Sequence, residues 1–319
     1  MTLNIGLIGY GKWAPNIVKN LNSNPKINLK WICDKNDDRI KKAKSTFFSK
    51  VNYTKDYKKI INDKTLDSVA VATGTNTHYS LVKHALLMGK HVFVEKPFTS
   101  TVKEAIILKK LAKKMKLKIH VDHIMVHHAA IKKIKQLIVN KSLGNIFYFD
   151  CKRMNIGQVR NDVSVTWDLA IHDLSIIDFL TDGKKPNNIS AVGKKYLASK
   201  ESLSFLNLFY PNFISHLQSS WISDHPERKL IIVGSEKTLI FDDLKQNEKL
   251  KVYKKNNGLI LEKNVAYNSK KLKKENPLYN SIENFRKVVE KNYQSISGPD
   301  QAIRIQKILE KADKCMLKK

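Results

Sequence analysis

Short apolar runs alternate with helical spacings over the first 122 residues. Residues 3–8 are apolar and stop at a glycine, the pattern of a strand buried on both faces of a parallel sheet. Residues 13–21 carry apolar side chains at helical spacing, and 27–33 read as a second strand. A polar helix over 37–47 and the end of another at 57–61 come next. They are followed by a β-branched strand at 68–72 and a helix over 79–88 stopped by Gly89. Strand 91–94, helix 102–115 and strand 118–121 complete the series. Strands separated by helices at this spacing predict βαβ units and a doubly wound parallel sheet.

The pattern changes near residue 123. A helix over 129–139 leads into a strand at 146–151, and another helix spans 168–180. Strands then crowd together at 189–196, 203–210, 213–221 and 229–233, with Pro211 and Asn212 as a hairpin turn. Phe213, Ser215, Leu217, Ser219 and Trp221 share one strand face. Helices at 278–290 and 300–316 close the chain. The prediction is an α/β Rossmann domain over 1–122. An α+β domain with a large, mostly antiparallel open sheet follows over 123–319, its last helix packing back on the first domain.

Composition adds exclusions. The 319 residues are 42% hydrophobic, enough for two cores. No run approaches the roughly 18 apolar residues of a membrane span, and no charged segment precedes residues 3–8 as a secretory signal requires. Cys33, Cys151 and Cys315 are odd in number and scattered, which predicts reduced thiols in a cytoplasmic protein. The net charge of +29 points first to nucleic acid. Yet among 58 basic residues only Arg39, Arg153, Arg160, Arg228, Arg286 and Arg304 are arginine. Nucleic-acid recognition draws on arginine forks as well as lysine. Lysine is spread along the whole chain, with clusters at 109–118 and 270–274 that read as solvated surface. Neither a nucleic-acid nor a membrane partner is expected. A basic surface helps attract an anionic substrate.

Candidate chemistry begins at the first turn. Gly9, Gly11 and Ala14 fit G-x-G-x-x-A after a strand and before a helix, the form of a dinucleotide phosphate turn. Gly9 allows the tight turn, Gly11 the approach of a pyrophosphate, and Ala14 close packing of the helix. The helix then directs its N–H groups at the phosphates. Asp34 ends the second strand, where a carboxylate accepts from ribose hydroxyls and repels a 2′-phosphate. NAD is therefore expected over NADP, although Lys35 beside it weakens the discrimination. Asp168 and His172, four residues apart, share a helix face. Taken singly, Lys96 reads as a surface lysine, His172 as a structural histidine and Asp168 as a helix cap. His120, His123, His127 and His128 crowd together, but nothing supplies a coordination geometry, so no metal is expected.

Three segments change that picture together. Glu95-Lys96-Pro97 ends a strand, Thr73 to His78 follows the preceding strand, and Asp168-Leu169-Ala170-Ile171-His172 carries D-x-x-x-H. With the glycine turn, they resemble the Gfo/Idh/MocA oxidoreductase family along nearly the whole chain. The resemblance implies Lys96, Asp168 and His172 as the catalytic trio, leaving open which of them removes the proton. It implies cofactor contacts from Gly9, Tyr10, Gly11, Lys12, Trp13, Asp34, Thr73, Asn76, His78, Glu95 and Lys96. Chemically, a histidine near its working pH suits removal of a hydroxyl proton, and Lys96 would stabilise the oxygen. The family also implies a homodimer or homotetramer joined through the second domain's open sheet. His127 and His128 stand where relatives commonly carry Tyr-Asn, and Gly74 replaces a frequent proline.

The opening from Gly9 to Asn16, with Arg153-Met154-Asn155-Ile156-Gly157, Arg160 and Trp167-Asp168-Leu169, is similar to sugar-nucleotide 3-dehydrogenases of that family. This implies a UDP- or dTDP-linked sugar as substrate, used in making surface-polysaccharide sugars. Substrate contacts would come from Arg153, Asn155, Arg160, Asp168 and His172. Arg153 and Arg160 offer bidentate forks for a carboxylate or phosphate, or else tie strand to loop. The alternatives are a free sugar or inositol as substrate, or a non-catalytic NAD-binding protein.

Overall fold

The computed structural model describes residues 2–46, 51–156, 159–160, 162–197, 199–256, 260–262, 276–292 and 295–317. Phe47, Gly157 and the lysine cluster at 270–274 lie outside them. The chain divides into two compact units. The first comprises 1–124 with 276–303, the second 125–275 with 304–319. Residues 276–303 thus cluster with the segment that precedes the predicted boundary.

In the first unit, β1 (Leu3–Ile8), β2 (Ile27–Cys33), β3 (Asn52–Thr54), β4 (Ser68–Val71), β5 (His91–Val94) and β6 (Ile119–Val121) form one parallel sheet. Its order is β3-β2-β1-β4-β5-β6, the doubly wound Rossmann order. Helices α1 (Ala14–Asn22), α2 (Asp37–Thr46), α3 (Tyr57–Asn62), α4 (Thr75–Leu87) and α5 (Val102–Lys114) connect the strands. One face of the sheet packs Val69, Val71, Val92 and Val94 against Val82, Ala85, Ala105 and Leu108. The other packs Ile5, Leu7, Ile32 and Phe93 against Ile17, Val18 and Leu21. Helix α8 (Pro277–Lys291) joins this second face through Leu278, Ile282 and Phe285, one apolar stripe at helical spacing. The predicted strands of this unit are present; β3 is an addition.

The second unit contains α6 (Ala129–Val139), β7 (Ile146–Ile156), α7 (Ile171–Leu180) and seven more strands. These are β8 (Asn188–Lys194), β9 (Leu203–Phe209), β10 (Ile214–Ser220), β11 (Ile222–Gly234), β12 (Lys237–Asp242), β13 (Leu250–Asn256) and β14 (Ile260–Glu262). Their order is β14-β13-β12-β11-β7-β10-β9-β8. Every pairing is antiparallel except β7 with β10. The hairpin expected at Pro211 joins β9 to β10. Phe149, Cys151, Leu206, Leu208, Leu217, Leu230, Ile232, Leu239 and Phe241 form the buried face. On the other face Phe209, Ile214, Tyr148 and Val233 are successive cross-strand neighbours, and Ile214 and Tyr148 are exposed. Helix α9 (Pro299–Leu317) ends the described chain. No described helix is long and apolar enough to cross a membrane.

Candidate functional site

The glycine turn follows from the end of β1. Gly9 has φ +98°, and a Cβ there would lie 2.6 Å from the Ala72 carbonyl oxygen. Only glycine accepts both conditions. At Gly11 a Cβ would meet nothing within 4 Å, so the backbone borders open space. No side chain caps the first turn of α1, which leaves its N-terminal dipole directed outward. Asp34 Oδ2 accepts from the Tyr10 N–H at 2.7 Å and Oδ1 from the Asn36 N–H at 2.9 Å. The buried carboxylate thereby ties the turn to the end of β2, with Arg39 Nη1 at 3.4 Å. Lys12 and Trp13 are exposed beside the turn. The Tyr10 ring instead lies in the core, so only its backbone lines the turn. This open cradle, with a carboxylate 20 residues beyond Ala14, fits a dinucleotide.

The next two strand ends lie beside it in the sheet order. Asn76 is exposed in the first turn of α4, and Thr73 Oγ1 lies 2.7 Å from Thr77 Oγ1. His78 is buried, with Nδ1 2.8 Å from the Pro97 carbonyl oxygen and Nε2 3.1 Å from that of Thr73. Its ring braces two loops. Glu95 also faces inward: Oε2 accepts the Lys96 N–H at 3.2 Å, and its carboxyl meets that of Asp122. Burial, then the Asp122 charge, raises Glu95 well above the usual carboxylate range. Burial pushes Asp122 up to about 6 against the bond from Ser281, the Glu95 contact and the Lys96 charge. His123 is driven down to about 3 by burial and then by the Lys96 charge. Lys96 is half-buried among these groups.

In the second unit a π turn over Thr166–Ala170 precedes α7. The wider turn replaces the regular helix expected from 168, a device frequent at functional sites. It carries Asp168, and His172 follows in the first turn of α7, both half-buried. Asp168 Oδ1 accepts from Arg160 Nη1 at 3.2 Å and Oδ2 from the Trp221 indole N–H at 3.3 Å. Arg160 also grips Asp162 at 2.9 and 2.6 Å. Trp167 anchors the turn by donating to Asp313 Oδ2 at 2.8 Å. Asn155 is half-buried near the end of β7. Arg153 is buried, and its fork is taken by Asp173 through bonds of 2.8, 3.1 and 3.3 Å. It ties β7 to α7, the structural alternative raised for it. His128 caps α6 by accepting the Ala130 N–H, and His127 is buried. Asp122, Ser281 and Trp221 were absent from the predicted site. Asp122 alone had a signal, a carboxylate directly after a strand end.

Residues 3–123 match the Gfo/Idh/MocA model, described as an oxidoreductase family with an NAD-binding Rossmann fold. The UDP-N-acetylglucosamine 3-dehydrogenase of Acidithiobacillus ferrooxidans is 29% identical over 197 residues, 61% of each chain. The myo-inositol 2-dehydrogenase of Thermotoga maritima is 26% identical over 196 residues, 60% of this chain and 58% of that one. The chain thus aligns with about three fifths of the length of these relatives. In fold, the solved structure of the Acidithiobacillus enzyme is similar at TM-score 0.83 and 21% identity, covering 99% of this chain and 98% of the other. An Agrobacterium radiobacter oxidoreductase in complex with NAD+, L-tartaric acid and magnesium is similar at TM-score 0.83 and 19% identity, covering 99% and 97%.

Proposed function

We propose, from the match of residues 3–123 to the Gfo/Idh/MocA oxidoreductase model, that the chain is a dehydrogenase of nucleotide-linked sugars. It moves hydride between C3 of a UDP- or dTDP-sugar and the nicotinamide ring. Bound NAD would supply the two-electron acceptor. The observation that carries the reading is the π turn, which presents Asp168 four residues before His172 with both carboxylate oxygens already held. Both Asp168 oxygens are thus already engaged as acceptors. The reading therefore assigns proton removal to His172, with Lys96 stabilising the substrate oxygen. Gly9, Gly11, Lys12, Trp13, Asp34, Thr73 and Asn76 would hold the cofactor. Asn155 and Arg160 would meet the sugar, while Arg153 supports the site from behind through Asp173. The similarity to a UDP-N-acetylglucosamine 3-dehydrogenase supports the substrate class.

The same reading has the protein working in the cytoplasm as a homo-oligomer, without nucleic acid or membrane. Its three free cysteines suit a reducing compartment. The apolar row Phe209, Ile214, Tyr148 and Val233 suits a second copy of the chain.

The test is a screen of UDP- and dTDP-sugars, with and without uronate groups, together with free myo-inositol, for NADH formation. Activity on a nucleotide sugar is expected, and Lys96→Met and His172→Asn should each lower its turnover about 10²–10⁴-fold. Turnover confined to inositol overturns the substrate, and near-normal turnover by both variants overturns the catalytic assignment.

A further inference from the structure

Asp122 is enclosed at the carboxyl end of β6, and hydrogen bonds lead away from it without a gap. Ser281 Oγ donates to Asp122 Oδ1 at 2.6 Å. The same oxygen lies 2.9 Å from His120 Nε2, and His120 Nδ1 lies 2.9 Å from Ser295 Oγ. Ser295 is half-buried and so reaches the surface. One set of donors satisfies all of these contacts. Ser281 has a single proton and gives it to Asp122, so its oxygen accepts from His120 Nε2–H. His120 Nδ1 then accepts from the Ser295 hydroxyl, which lies 2.9 Å from it and 3.4 Å from Asn284 Oδ1.

At the inner end Asp122 meets Glu95, whose Oε1 is buried with no N–H or O–H of the described residues to receive. Two ionised carboxyls cannot face each other there, and one shared proton satisfies both. The Lys96 charge acts on Glu95, on Asp122 and on the neighbouring His123, so the ammonium group is within electrostatic reach of the pair. All of these residues belong to the first compact unit.

We propose that Lys96, Glu95, Asp122, Ser281, His120 and Ser295 form a proton wire between the reacting oxygen and solvent. The proposal rests on the reading of Lys96 as the group beside that oxygen. Alcohol oxidation breaks a C–H and an O–H bond and forms C=O. Hydride with its two electrons goes to the nicotinamide cofactor, and the proton must leave. With the donors as described, the wire is set to pass a proton inward, the direction that ketone reduction needs. Ser281 gives its proton to Asp122, and His120 Nε2 replaces it. Ser295 then gives its proton to His120 Nδ1, and water supplies Ser295. Each hop breaks one X–H bond and makes another. One delivery leaves every donor turned outward, the setting that carries a proton off after alcohol oxidation. In that direction the Lys96 ammonium gives a proton to the carboxyl pair as its nitrogen takes the one released by alcohol oxidation.

The experiment compares the full chain with Ser281→Ala and Ser281→Thr, using UDP-N-acetylglucosamine and NAD in H₂O and D₂O. Ser281→Ala should lower turnover about 10–100-fold and enlarge the solvent isotope effect, with NAD affinity by calorimetry unchanged. Ser281→Thr keeps a hydroxyl and should restore most of the rate. Turnover of Ser281→Ala within about twofold of the native chain overturns the wire. A second arm needs no substrate. In the ligand-free protein at neutral pH, infrared spectroscopy should show a buried carboxylic-acid band that Glu95→Gln removes. Nitrogen NMR should find one proton on the His120 ring, on Nε2 in the inward setting or on Nδ1 in the outward one. A missing band, or a ring with both nitrogens protonated, overturns the wire. If the native chain is inert toward every sugar, the functional reading falls and this second arm decides the wire alone.

Discussion

Asp122 shows how one residue serves two opposed demands. Burial drives its carboxyl up to about 6, against an ordinary value of about 3.9. The folded chain therefore holds this proton more tightly than the unfolded chain does. Through this group, stability falls as pH rises from about 4 through 6, and the loss is complete above that window. His123, lowered to about 3 by burial and the Lys96 charge, acts with the opposite sign: stability rises as pH climbs from about 3 to 6.5. Comparing Asp122→Asn with the native chain cancels the histidine. The amide can donate to Glu95 Oε1 and does not ionise. Urea midpoints should therefore be higher for Asp122→Asn at pH 7.5, with the gain shrinking toward pH 4. Equal midpoints at both pH values would show that the carboxyl carries no such burden. The same variant should turn over more slowly, because an amide cannot pass a proton along the wire.

At the scale of elements, Arg153 and Asp173 join β7 to α7 next to His172. Both side chains are buried, so removing one partner leaves the other charge without compensation. Asp173→Ala should lower stability by about 3–5 kcal/mol, whereas Arg153→Met with Asp173→Leu should lose far less. Denaturant melts of the three chains check this, and a double variant as weak as the single one would remove the ion pair from the account. The sequence showed these elements unevenly. β1, β4 and β5 are nearly continuous buried runs because both sheet faces are covered, so their bounds were readable. β11 begins seven residues before the predicted start, at Ile222, since Pro226 and the polar residues around it hide a strand with an irregular register. Nothing in Trp167-Asp168-Leu169-Ala170 distinguishes a π turn from an α turn. Gly9, Gly11 and Asp34 were legible because local backbone demands produce a local pattern. Ser281 and Asp122 stand 159 positions apart, and only the folded chain pairs them.

For the whole molecule, the exposed row on the second sheet sets the expectation about assembly. Tyr148→Glu with Ile214→Glu places two like charges side by side in register across β7 and β10. Sedimentation should show the native chain as an oligomer and the double variant as a monomer; a native monomer at all concentrations would remove the second copy. The arginines carry a different lesson. Five of the six hold a carboxylate: Arg39 on Asp34, Arg153 on Asp173, Arg160 on Asp162 and Asp168, Arg286 on Glu283 and Glu290, and Arg304 on Asp178. Lysine supplies the remaining positive charge nearly everywhere. In a chain whose default cation is lysine, an arginine marks a position where planar geometry matters more than charge. The rare residue then works as a built-in record of constraint, legible without a second sequence beside it.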